Sequence, residues 1–220
     1  MNLAMLDRMV REGDCSVDAM RFLLKCRAEC EWLDYKKTLN LDDDRDICCF
    51  SRDVLGMKNV GGGYIVVGVE DKTWKPVGLS ANLPYDKKML TDKIRKATGT
   101  DLDVDIVHHE LHSPEFQGVF ALIFVRSSKK PSKRKTPTLV KHDFCAQQKY
   151  GLRTGEIYFR KGDSTVKLST AEELVDLEDN LSAQVNQGIL DSRQPAIPFA
   201  ILDGTYRLLE KGFEDRKSVV

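Results

Sequence analysis

Apolar and polar positions along the chain follow two periods, and the switches between them mark its elements. Leu3, Met5, Leu6, Met9 and Val10 recur at helical spacing and stop at Gly13, which predicts a short helix over 2–12. Ser16 then caps a second predicted helix over 17–28, with Met20, Leu23 and Leu24 apolar and Asp18 near its positive end. Residues 32–37 alternate as a strand does, and an acidic turn at Asp42-Asp43-Asp44 leads into a third predicted helix over 45–57. Tyr64–Glu70, bounded by Gly61-Gly62-Gly63 and an Glu70-Asp71-Lys72 turn, is the clearest strand; both its faces are apolar or small, as in the centre of a sheet. Residues 75–79 form a short extended piece, and Pro84 opens a helix to about 97 with a lysine-rich polar face. Val104–Leu111 and Gly118–Val125 read as an antiparallel pair joined through Ser113-Pro114. Residues 156–160 read as one more strand, closed by Lys161-Gly162-Asp163, and Ser169 or Thr170 begins a helix with Glu172 and Glu173 in its first turn. A linker with Pro195 and Pro198 precedes a last helical pattern over 199–211.

This order, with no internal repeat, predicts an α+β fold: a mixed or antiparallel sheet with flanking helices, followed by a C-terminal helical tail. The expected division is an N-terminal helical segment, 1–19, a domain over 20–175, and a tail or linker over 176–220. With 220 residues, 41% hydrophobic and 31% charged, the chain has the composition of a globular protein with a real core, not of a disordered or repetitive one. Its longest apolar runs fall far short of the roughly 20 residues that cross a bilayer, and the charged start (Asp7, Arg8, Arg11, Glu12) lacks the apolar stretch of a secretory signal. A cytoplasmic protein without a membrane partner is expected. Six cysteines at irregular spacing suit reduced thiols. Cys26, Cys30, Cys145 and His142 are four zinc-type ligands, but without a CxxC pair they match a zinc site poorly.

Thirty-four basic and 34 acidic residues cancel, yet the charge is unevenly placed. Arg126, Lys129, Lys130, Lys133, Arg134, Lys135 and Lys141 bring seven positive charges with no acid among them, on a stretch that Pro131 and Pro137 keep irregular. Either this is a solvated loop, or with Arg160 and Lys161 it flanks a groove for a phosphate backbone, whose binding would weaken steeply with salt. Tyr150 and Tyr158 are the stacking candidates nearby, with Phe159 expected in the core. The triple glycine is no phosphate loop, since no Gly-Lys-Ser/Thr follows. His108 and His109 are consecutive on a strand and face opposite sides, so with His112 they read as surface histidines.

The sharpest chemistry lies before the triple glycine. On a strand, Asp34 and Lys36 share a face while Leu33 and Tyr35 point into the opposite layer. Glu29, at the end of the preceding helix, can turn back beside Asp34, and Asp71 can join them if the two strands pair. Three carboxylates with a lysine suit a hard cation such as Mg²⁺ or Mn²⁺ that bridges to phosphate oxygens, with Lys36, next to Lys37, at the phosphate. By spacing alone, solvated acids at the rim of a sheet are the commoner reading of such a pattern.

The stretch Glu29-Cys30-Glu31-Trp32-Leu33-Asp34-Tyr35-Lys36 resembles the "E, four residues, E-F-K" signature of the Schlafen family and its prokaryotic relatives, which share an AlbA-like domain. Three further stretches agree in order: Gly62–Asp71 with the family's "GG-apolar-G-V-x-D", Pro76-Val77-Gly78-Leu79, and Tyr158–Thr165 with its "Y-x-R-x-G-S-S-T". The segment Val54–Val60 departs from the family's "A-F-A-N-T", with only Asn59 in common, and Asp34 stands where glutamate is usual, one methylene shorter. The resemblance implies a nucleic-acid site first and cleavage second. In Schlafens that cut transfer and ribosomal RNA, the positions of Glu29, Asp34 and Asp71 form the metal-binding catalytic trio. Such a chain would bind RNA rather than DNA and hydrolyse it with Mg²⁺ or Mn²⁺, and as a single lobe it would need a homodimer to enclose RNA. A non-catalytic regulatory module binding DNA or RNA, and an oligomerising domain of a larger protein, are the alternatives. The apolar tail residues Ile197, Phe199, Ile201 and Leu202 fit either a partner chain or the domain's own surface.

Overall fold

The computed structural model describes residues 2–127, 137–179 and 182. Helix α1 spans Leu3–Glu12; Asn2 caps it by accepting from the Met5 amide at 3.1 Å, and Gly13, at φ 66°, ends it. Helix α2, Val17–Cys26, is capped by Ser16 at the Ala19 amide, 3.2 Å away. It stops two residues short of the predicted end because Arg27 turns left-handed at φ 46°. Glu29 therefore lies on the link to strand β1, Leu33–Lys36, rather than on a helix.

Helix α3 runs Asp44–Asn59 behind an Asp43 cap and feeds strand β2, Gly62–Val67, which is buried along its whole length. Helix α4, Lys87–Thr98, starts three residues after Pro84 because Asp86, not the proline, provides the N-cap. Strands β3, Val104–His112, and β4, Gln117–Arg126, form the expected hairpin. The single strand predicted over 156–160 is instead a hairpin of β5, Tyr158–Lys161, and β6, Ser164–Lys167. A final helix, α5, covers 171–179 behind a capping box: the Glu173 carboxylate accepts from the Thr170 amide at 3.0 Å, and the Thr170 hydroxyl accepts from the Glu173 amide at 3.2 Å.

The main sheet has the order β1-β2-β4-β3, with β1 and β2 parallel and the other pairs antiparallel. A parallel neighbour needs a crossover, and α3 supplies it. Alternation splits the sheet's side chains between two cores. Leu33, Tyr35, Tyr64, Val66, Leu122 and Phe124 pack under α1 and α2, and Ile65, Val67, Ala121 and Ile123 pack under α3 and α4. The fold is thus α+β, with a four-stranded mixed sheet between helical layers and a separate two-stranded sheet.

Two glycines place the site. A Cβ on Gly56 of α3 would stand 3.1 Å from the Thr165 methyl and 3.4 Å from the Phe159 backbone, so its absence lets the β5–β6 hairpin lie on the helix. Gly68, at φ 107° with the Phe120 ring 2.9 Å from where its Cβ would be, turns the chain out of β2 toward Asp71. Among the described residues no helix is long and apolar enough to cross a membrane. Lys129, Lys130, Lys133, Arg134 and Lys135 of the basic stretch, and the tail with Ile197, Phe199, Ile201 and Leu202, lie outside the described residues.

Candidate functional site

Because Asp34 and Lys36 alternate with the core residues Leu33 and Tyr35, they project from β1 on the α3 side of the sheet. There they meet α3 and the β5–β6 hairpin. Lys36 Nζ lies 3.0 Å from Asp34 Oδ2 and 2.6 Å from Asp53 Oδ2 of α3. Arg160 of β5 donates from Nη1 to Asp34 Oδ1 at 3.2 Å and to Thr165 Oγ1 at 3.3 Å, and from Nη2 to the Cys30 carbonyl at 3.2 Å. The Thr165 hydroxyl in turn donates to Asp53 Oδ1 at 2.8 Å, closing a ring of charge through β1, α3 and the hairpin.

This ring forms one side of a cavity of about 630 Å³. Six carboxylates (Glu29, Asp34, Asp46, Asp53, Asp71, Asp163) and four cations (Lys36, Lys37, Arg52, Arg160) line it, so it carries excess negative charge. Glu29, Asp34, Asp71 and Lys36, singled out from the sequence, therefore converge on one cleft. Glu29 is half-buried and accepts from the Tyr35 amide at 3.4 Å. Burial, then the charge of Asp34, push its carboxyl up to about 6, with Asp71 adding to the same effect. Burial also raises the Asp34 carboxyl, against the pull of Lys36 and Arg160. Burial alone would lower the Lys36 ammonium, but Asp53 and Asp34 outweigh it and hold the lysine charged.

The other cations expected at nucleic acid are placed variously. Arg160 is buried, 2% exposed, and serves as the counter-ion of Asp34 on the cavity floor rather than as a surface contact. Lys37 and Lys161 are exposed, near Glu70 at 3.4 Å and Asp176 at 2.7 Å. Arg126 and Lys141 do not line the cavity. Arg126 pairs with Asp105 at the end of the sheet where β2 begins, away from Asp71. Lys141 is exposed, its amide bonded to the Thr98 carbonyl at 2.7 Å. Tyr158 donates to Glu156 at 2.6 Å and Tyr150 packs against the α3–α4 core, so neither is a stacking platform at the cleft. Phe159 is buried, as expected. His108 and His109 do face opposite sides; His108 accepts from the Leu83 amide at 3.0 Å and His109 meets the Cys15 carbonyl at 3.0 Å. They are half-buried rather than surface groups. All six thiols are free. Cys26 and Cys30 lie against the α1–α2 core and Cys145 against the α3–α4 core, so the sheet separates these zinc-type side chains.

Within the ring, Asp53 is the residue that no motif singles out, whereas Thr165 closes the Tyr158–Thr165 stretch without having been given a role. Asp53 falls with Phe50, Val54 and Met57 on the buried face of α3, and an acid at an apolar helical position was the signal available. Asn59 is also structural: its side-chain amide donates to the Thr138 and Tyr158 carbonyls at 2.9 and 2.7 Å.

The cleft is thus a carboxylate-lined one on an α+β domain, with Lys36 and Arg160 held in it by ion pairs. The model of the Schlafen AlbA_2 family matches residues 29–169, which include every element of that cleft, and the chain belongs to this family of nucleic-acid-binding or nuclease-like domains. No curated protein matches the chain. Among solved structures it is similar to the DIP2311 protein from Corynebacterium diphtheriae, at 19% identity and a TM-score of 0.40, over 64% of this chain and 23% of that one. The chain thus spans about a quarter of that protein's length.

Proposed function

We propose that the chain binds RNA along this cleft and hydrolyses its phosphodiester backbone there with Mg²⁺ or Mn²⁺. The observation that supports this reading is the convergence of Glu29, Asp34, Asp71 and Lys36 on one cavity. In kind, the donors fit a hard cation: they are carboxylates in excess over cations, and Asp34 Oδ2, though near Lys36, has no aligned hydrogen-bond donor. In position, the fit is incomplete. No three acidic, His or Cys side chains among the described residues are grouped to hold an ion, and Asp34 already faces two cations. Of Glu29, Asp34 and Asp71, the first and last can take a cation without breaking an ion pair among the described residues, whereas Asp34 cannot. A bound cation would lower the pKa of water and offset phosphate charge. The chain's own groups supply the rest. Lys36, held charged by Asp53 and Asp34, meets a phosphate oxygen, while Glu29 and Asp71 would hold the cation.

The Arg160–Asp34 and Lys36–Asp53 pairs favour a second reading, in which the acids are structural and the domain only binds. Paired assays separate the two. End-labelled transfer RNA is incubated with the protein in Mg²⁺, Mn²⁺ or EDTA, and binding is measured by filter retention. Metal-dependent cleavage that falls about a hundredfold in Glu29→Gln and in Asp71→Asn, with RNA still bound, supports the enzyme. Binding without cleavage by the parent protein supports the binding module, and neither binding nor cleavage refutes both.

A further inference from the structure

The sheet ends on two strands of unequal length: β1 has four residues, whereas β3 has nine, paired with β4 without a bulge. The Arg126 amide donates to the Asp103 carbonyl at 3.0 Å, which fixes the alternation along β3. Residues 105, 107, 109 and 111 turn their backbone groups toward β4, and Ile106, His108 and Glu110 turn theirs outward. Among the described residues no backbone group meets that outward row. Of the usual protections, β3 holds no proline, lysine or bulge; its inward acid, Asp105, is matched by Lys87 and Arg126, which leaves the exposed Glu110 as its one outward charge. Such an edge is a template for another strand.

The sequence of β3 is complementary to itself in one register. About a two-fold axis at Val107, Val107 faces its own copy, Asp105 faces His109, Ile106 faces His108 and Val104 faces Glu110. The alternation agrees: Ile106–His108 and Val104–Glu110 fall on outward-turned, hydrogen-bonding pairs, and Val107–Val107 on a close, non-bonded pair where β-branched side chains pack. Shifting the axis by one residue to His108 sets Ile106 against Glu110 and Asp105 against Leu111, losing both the acid–imidazole and the apolar match. We propose that β3 pairs antiparallel with β3 of a second copy of this chain, joining two sheets into one of eight strands. The clefts then lie beyond the two far edges, about seven strand spacings or roughly 34 Å apart across the sheet. The proposal does not depend on what the cleft does.

Sedimentation equilibrium on the full chain at micromolar concentration tests it. The expected mass is twice 24.9 kDa. Val107→Lys and Val107→Glu each place like charges on the axis and should weaken association about a hundredfold or more, while their equimolar mixture restores the doubled mass. Glu110→Pro removes an outward amide and an exposed carboxylate whose contact is His112, 3.5 Å away, so it should give a folded monomer by circular dichroism even if the Val107 variants misfold. A monomeric parent refutes the proposal. So does a dimer that Glu110→Pro and Val107→Lys leave intact, which would place the contact elsewhere.

Discussion

Arg160→Met tests how the floor of the cleft is held. The guanidinium is buried, with its side chain 1% exposed and Asp34 10% exposed, and it bonds Asp34, Thr165 and the Cys30 carbonyl. Methionine fills much of the volume but leaves Asp34 and the carbonyl without that partner. Removing one member of a buried pair costs about 3–5 kcal/mol. Lys36 remains 3.0 Å from Asp34, so the lower end applies, about 3 kcal/mol. For a chain of this size that is a drop of roughly 6–12 °C in Tm. Adding Asp34→Asn removes the uncompensated charge, and the double variant should recover about 2 kcal/mol relative to the sum of the single changes. Urea unfolding of the four proteins gives this coupling directly. A loss under about 1 kcal/mol in Arg160→Met, or simple additivity in the cycle, would refute the role given to the ring.

Three further outcomes are expected. The Glu29 carboxyl is raised from its ordinary value to about 6, so the folded state holds a proton that the unfolded chain has released; the stability this gives is present below the unfolded pKa and is lost as pH rises through 6. Glu29→Gln should match the parent in acid and exceed it above pH 6 by about 1 kcal/mol after discounting for solvent screening, measured by urea unfolding across pH. Gly56→Leu should cost about 2 kcal/mol by pushing the β5–β6 hairpin off α3, and unchanged thermal unfolding would contradict that contact. Lys37→Ser with Lys161→Ser should weaken RNA binding across sequences and flatten the slope of affinity against salt by about two, with an unaltered slope placing the backbone elsewhere.

Much of this was legible in the sequence where local rules suffice. Alternation on β1 put Asp34 and Lys36 on one face, and the glycines around Tyr64–Val67 marked the central strand. Two kinds of information were not local. Arg160 ends a predicted strand just before a polar turn, and nothing in Arg-Lys-Gly-Asp shows that its guanidinium folds inward to Asp34, 126 residues earlier. The second strand of its hairpin, Ser164–Lys167, is short and largely polar, so periodicity is silent there. The end of α2 turned on Arg27 adopting a left-handed conformation that non-glycine residues seldom take, which moved Glu29 off the helix but kept it at the cleft.

Whether RNA lies in the cleft is the central question, and Cys49, an exposed thiol lining it, gives direct access. A photoactivatable crosslinker attached there should capture labelled transfer RNA, and the signal should vanish in Cys49→Ser. The same label at Arg8→Cys in the Cys49→Ser background, on α1 across the sheet, should stay unreacted. Capture from the α1 position with none from Cys49 would contradict the account.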